Sequence, residues 1–194
     1  MDYCSLYCYT SFNSFLQVDY MKTSGVLSRE EILRYLQADV PLVEKMVDVA
    51  QQVQPNGVDL TVKEIALLSS PGCVSTQNKD RVLSTTSPLV FDGLNGMDLM
   101  QGCYLVTFTE IVNLPRTIMA LARPRSSLLR CGVSIHTAVW DAGYSGRSQA
   151  LMTVYNPMGF RLHRYARIMQ MVFFHLSGEV IEGYNGIFQG ENIG

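Results

Sequence analysis

The stretch Arg125-Ser126-Ser127-Leu128-Leu129-Arg130-Cys131-Gly132-Val133-Ser134-Ile135-His136-Thr137-Ala138-Val139-Trp140-Asp141-Ala142-Gly143-Tyr144-Ser145-Gly146-Arg147-Ser148 reads as two devices in series. In the first, Ser126 or Ser127 is placed to cap a single helical turn, Leu128 to Arg130, which Gly132 stops from the C′ position. A short helix start exposes backbone N–H groups at the positive end of a dipole, and Arg125 adds a planar fork beside it. Together they suit an anion such as phosphate. In the second, Val133 to Ser148 reads as strand, tight turn and strand. Ile135 to Trp140 is apolar and β-branched, and Asp141 to Gly146 is dense in turn formers. Asp141 is a lone carboxylate where strand meets turn. Each half taken alone also reads as a surface turn. The pair in series points to water activation beside a phosphorylated ligand.

Working outward, the rest of the chain is read as one all-β body. Ser28 and Glu31 form a capping box ahead of Ile32, Leu33 and Leu36, so a short N-terminal helix opens the body. Val58 to Leu67, Tyr104 to Phe108, Ala150 to Tyr155, Phe160 to Leu162 and Ile168 to Phe174 read as strands. Asp59 reads as a strand-end aspartate that satisfies backbone amides, with a ligand contact as the other option. Turns at 69–72, 84–88 and 92–96 leave residues 69–100 without a readable path. Short strands between frequent turns predict a sandwich or barrel. Residues 1–27 are set apart as an N-terminal extension, either without a fold of their own or ahead of a true start at Met21. Residues 28–180 form the β domain. Residues 181–194 are glycine-rich with two aromatics and read as a flexible C-terminal arm.

A chain of 194 residues is long enough to bury a core in one domain. The low charged content, 16%, suits a surface partly covered by partner subunits. A net charge of −2 and a pI near 5.9 argue against a nucleic-acid binder. No apolar run approaches the ~20 residues of a membrane span, and no signal peptide is visible, so the cytoplasm is expected. The five cysteines, Cys4, Cys8, Cys73, Cys103 and Cys131, do not form a zinc pattern and read as thiols of a reducing compartment. His136, His163 and His175 have no partner at a metal-ligand spacing. Trp140, Met158, Met169 and Met171 read as packing residues.

In this order and spacing the two halves of the central stretch resemble the superfamily of homotrimeric dUTP diphosphatases and dCTP deaminases, and within it the archaeal-type dUTP diphosphatases. Asn56-Gly57-Val58-Asp59-Leu60 is similar to the family's first motif, Ala166 to Gln170 to the one near the end, and Tyr184 to Asn192 to its closing segment. The resemblance implies a distorted, jelly-roll-like β-barrel and hydrolysis of dUTP to dUMP and pyrophosphate, which controls dUTP and supplies dUMP for thymidylate synthesis. It implies Asp141 as the catalytic residue that activates water against the α-phosphorus, with Mg²⁺ carried on the triphosphate and no direct metal ligand from the protein. Arg125, Ser126, Ser127 and Gln170 are implied as phosphate contacts. Thr137, Ala138 and Tyr144 are implied to read base and sugar, and Tyr184, Phe188 and Gln189 to sit in the closing arm. Active sites are implied to lie between subunits of a homotrimer.

Two departures separate sister activities. The catalytic glutamate of the deaminases falls at Thr153 by counting back from Tyr155-Asn156, and threonine cannot shuttle protons as a carboxylate does, although Arg130, which the deaminases share, is present. The arm has no arginine and carries Ile187 where a lysine is often found. A dCTP deaminase and a non-catalytic nucleotide-binding β domain remain the alternatives.

Overall fold

The computed structural model describes residues 25–193. The expectations placed on residues 1–24, including a start at Met21, fall outside them. The capping box forms as read: Ser28 Oγ accepts from the Glu31 amide at 3.3 Å, and Glu31 accepts from the Ser28 amide at 2.9 Å. The helix Arg29–Tyr35 follows and buries Ile32. Gly25–Val26 pairs with Phe174 and His175, and fully buried Leu27 donates its amide to Phe173. The folded body therefore takes in residues 25–27, which the sequence reading had placed in the extension, because Leu27 is a core side chain.

The architecture is all-β. The central order of the main antiparallel sheet is Gly25–Val26, Arg167–His175, Gly57–Leu68, Gly102–Phe108, Gln149–Val154, Val133–His136. Val53–Gln54 and Thr86–Pro88 pair onto Gly57–Leu68, and Ile118–Pro124 pairs onto Arg167–His175. The sheet curls into a half-barrel around a core that includes Phe108, Phe173, Met152 and Ile168. Its driving force is the burial of these side chains, each contributing about 1.5–3 kcal/mol.

Gly57–Leu68 departs from simple alternation, since its first six residues are all buried. One face packs into the core. On the other, Thr61 donates its amide and hydroxyl to Glu110 at 2.9 and 2.7 Å, and Gln52 completes the cluster at 2.6 Å. Burial pushes the Glu110 carboxyl above its usual range, against the lowering effect of these bonds.

Residues 69–100 also resolve into a path. Ser69 and Thr85 close an exposed excursion bridged at Cys73 and Val82, and Thr86–Pro88 returns to the Gly57–Leu68 strand. Gly96–Leu99 then pairs with Phe160–His163. Among the described residues no helix is long and apolar enough to cross a membrane.

Three local expectations are corrected. The second half of the central stretch is not a simple hairpin: Val133–His136 pairs with Gln149–Val154, while Ser145–Gly146 pairs with Ile111–Asn113. The turn is stitched to Leu114 instead, whose amide donates to Tyr144 and whose carbonyl accepts from Gly143. Next, the helix Ser126–Arg130 is capped by Arg125 and receives no side-chain cap bond, so Ser126 and Ser127 sit inside its first turn. Gly132 does adopt the positive φ, 73°, of a helix stop. Finally, Met158 is exposed rather than packed, whereas Trp140, Met169 and Met171 are buried.

Candidate active site

The turn after Trp140 forms one wall of a cavity of about 640 Å³. Trp140 anchors that wall through a two-way backbone bridge to Ala120. Ala138, Asp141 and Tyr144 line the cavity, facing Leu68, Leu83 and Leu105. Thr137 lies half-buried just ahead of Ala138. The Asp141 side chain is exposed at this cavity, and its carboxylate has no hydrogen-bond partner among the described residues. Ser145 locks the turn from beneath: its hydroxyl donates to Asn113 at 2.7 Å, and Asn113 donates to Glu44 at 2.8 Å.

The arm lies over the same cavity. Tyr184 and Phe188 line it, and Tyr184 meets the Tyr144 ring edge-on with centroids 5.7 Å apart. Gln189 bonds the turn backbone twice, accepting from the Ser145 amide and donating to the Gly143 carbonyl, each at 3.0 Å. Arg147 donates to the Asn192 carbonyl at 2.9 Å and to Thr109 at 3.1 Å. Gly143 permits the crossing. Its φ is 88°, and a Cβ there would stand 2.7 Å from the Gly183 Cα.

The arm also delivers Glu191, which the sequence reading did not single out. Its carboxylate accepts the Tyr144 hydroxyl at 2.8 Å. Burial pushes the Glu191 carboxyl up, with the Tyr144 bond pulling the other way. Burial first, and the neighbouring carboxylate second, push the Tyr144 phenol far up, so it stays a donor.

The cationic half lies elsewhere. Asp59, 2% exposed, is held by Arg125 Nε at 3.2 Å and Arg167 Nη1 at 3.4 Å. Its carboxylate therefore faces two guanidiniums rather than backbone amides, which corrects the strand-end reading. Burial pushes this carboxyl up while the two arginines pull it down. Gln170 is the register partner of both Asp59 and Arg123, so it stands beside the Asp59 carboxylate that Arg125 holds, with Ser126 and Ser127 following Arg125 in the chain. Arg167 was hidden in the Ala166–Gln170 motif, since its partner Asp59 is distant in sequence.

The structure thus brings Asp141, Ala138, Tyr144, Tyr184 and Phe188 together, and brings Arg125 and Gln170 together, but it separates the two sets. Ala120, bridged to Trp140, and Arg125, whose extended backbone directly follows the strand Ile118–Pro124, are five residues apart, about 17 Å.

A family model described as dCTP deaminase-like matches residues 26–176. The chain belongs to the dCTP deaminase-like family. A Methanosarcina mazei protein named "probable deoxyuridine 5'-triphosphate nucleotidohydrolase" is 48% identical over 168 residues, 87% of this chain and 98% of that one. A relative of the same name from Methanococcoides burtonii is 49% identical over 87% of this chain and 99% of its own length. Among solved structures, the 2'-deoxycytidine 5'-triphosphate deaminase from Agrobacterium tumefaciens shares the fold with a TM-score of 0.59 at 23% identity. That match covers 79% of this chain and 49% of the deaminase, so this chain spans about half the length of that one.

Membership in the dCTP deaminase-like family makes the acid groups of the cavity informative. Thr153, where counting had placed the deaminases' glutamate, is not on the cavity wall; its hydroxyl faces Cys103 Sγ at 3.8 Å. Ser148 and Gln149 line the cavity at that end instead, so neither brings a carboxylate.

Glu191 gives the arm a pH dependence. A carboxyl whose pKa is raised on docking stabilises the docked arm fully below its ordinary value of 4.5, and that stability is lost as pH rises through the raised value. Amide exchange of residues 184–193, corrected for intrinsic rates, is expected to speed up as pH rises above the ordinary carboxylate range in the native chain. Glu191→Gln, which keeps an acceptor for Tyr144, is expected to flatten that profile and to protect the arm better at the alkaline end of it. Identical profiles for the two proteins would refute this role.

Proposed function

We propose that this chain is a dUTP diphosphatase, converting dUTP and water to dUMP and pyrophosphate in the cytoplasm as a homotrimer. The names of the Methanosarcina and Methanococcoides relatives support the substrate. The observation that carries the mechanism is the Asp141 carboxylate, which has no hydrogen-bond partner among the described residues, at the edge of a cavity with no cationic side chain among its lining residues. Such a cavity suits the uncharged nucleoside. Ala138 and the backbone from Thr137 onward take the pyrimidine edge, and Tyr144 packs beneath the deoxyribose.

Asp141 orients a water and takes its proton as the oxygen attacks the α-phosphorus; the bond from that phosphorus to the bridging oxygen breaks, and pyrophosphate leaves. Arg125, Ser126, Ser127 and Gln170 bind the phosphates. Because about 17 Å of strand separates them from Trp140 within one chain, they serve the cavity of a neighbouring chain. Mg²⁺ fits as a companion of the triphosphate, and the free oxygens of Asp141 are the hard donors available to its water shell; when bound it neutralises phosphate charge. Tyr184, Phe188 and Gln189 hold the arm closed over the nucleoside and exclude bulk water.

The test is a substrate panel. With Mg²⁺, pyrophosphate is expected from dUTP, with far less from dTTP and no ammonia from dCTP. Ammonia from dCTP would establish deamination and overturn this reading, as would an inert dUTP sample.

A further inference from the structure

We propose that Ser148 is a specificity-determining residue whose hydroxyl binds a neutral polar atom of the nucleoside, a ring carbonyl or ring N–H of the pyrimidine. This rests on reading the cavity as the nucleotide site. Ser148 lines that cavity and is 4% exposed. Among the described residues its Oγ is the buried side-chain polar atom that has no hydrogen-bond partner. Buried hydroxyls are satisfied almost everywhere in folded proteins, so an orphan facing a cavity calls for an explanation.

Packing does not supply one. Ser148 directly precedes the strand Gln149–Val154 and falls in phase with its buried Ala150, Met152 and Val154, so an alanine would fit there without leaving a polar atom unpaired. Neighbouring polar groups give their protons elsewhere. Tyr144 gives its proton to Glu191 at 2.8 Å, and Gln149 donates to Thr107 at 2.9 Å. The Tyr144 phenol oxygen lies near the Ser148 hydroxyl and could still accept from it, but no hydrogen bond of ordinary length joins the two.

The surroundings choose the kind of partner. Leu68, Leu83, Leu105 and Val139 give the cavity apolar faces suited to a flat ring. Two carboxylates, Asp141 and Glu191, line it with no cation, which turns phosphate away from this end. A hydroxyl can both donate and accept, so Ser148 can meet a ring carbonyl or a ring N–H without a change of protonation.

The experiment compares the native chain with Ser148→Ala in two measurements. The first is thermal unfolding without ligand; the second is calorimetric binding of α,β-imido-dUTP, with inorganic triphosphate as a probe of the phosphate contacts alone. Losing one hydrogen bond is expected to weaken imido-dUTP binding about three- to tenfold, with triphosphate binding unchanged and the melting temperature of the free protein equal or higher. In turnover the same variant is expected to raise KM with little change in kcat. Equal imido-dUTP affinity in the two proteins would overturn the role of Ser148 alone. So would a clear drop in melting temperature without ligand, since that marks a structural hydroxyl. Failure of the native chain to bind imido-dUTP would instead overturn the reading of the cavity, and this proposal with it.

Discussion

Asp141→Asn is expected to leave a folded protein that binds imido-dUTP about as well as the native chain and releases pyrophosphate about a thousandfold more slowly. Asparagine matches aspartate in shape, and the native carboxylate has no hydrogen bond to lose among the described residues, so the fold has no reason to change. What disappears is the proton acceptor. The neighbouring Glu191 cannot replace it, because its carboxylate is engaged by the Tyr144 hydroxyl at 2.8 Å. Single-turnover pyrophosphate release with excess enzyme separates chemistry from binding. A variant that kept a tenth of the native rate would remove Asp141 from the mechanism.

The second large effect is restoration by mixing. Arg125→Gln is expected to be nearly inactive by itself, while Arg167 continues to hold Asp59 in place. Asp141→Asn supplies sound phosphate contacts, and Arg125→Gln supplies a sound acid. When the two chains are unfolded together in equal amounts and refolded as mixed trimers, a working site needs each intact half from a different chain. About a quarter of the sites meet that condition, so activity is expected to climb from near zero to about a quarter of the native value. No recovery, in trimers verified by mass, would place both halves in one chain and contradict the separation along Ile118–Pro124.

Much of this arrangement was legible in the sequence where the governing interactions are local. The Ser28–Glu31 capping box, the stop at Gly132 and the strand cores from Val58, Tyr104 and Ile168 depend on neighbours within a few residues. What was misread depends on distant partners. Ser145–Gly146 looked like the return arm of a hairpin, but Leu114 and Asn113 claim it from about thirty residues away. Asp59 looked like a strand end, yet Arg125 and Arg167 reach it from across the sheet. Glu191 lay in a glycine-rich tail with no period, so nothing local marked its contact with Tyr144. Ser148 did leave a trace: it is a polar residue in phase with the buried Ala150, Met152 and Val154 of the strand that follows it. For the cap of the short helix, the serines were visible but the capping role went to Arg125, whose extended backbone directly follows the preceding strand.

The strand Ile118–Pro124 also has a consequence for gene dosage. Under the proposed assembly, each polypeptide lends its acid to one chamber and its guanidinium to another, and owns neither outright. A chain defective at both ends would therefore poison two chambers in every ring it joins, and a diluted, dissociated chain would be silent even with every side chain intact. Cellular abundance, rather than side-chain chemistry alone, would then set the threshold at which the activity switches on.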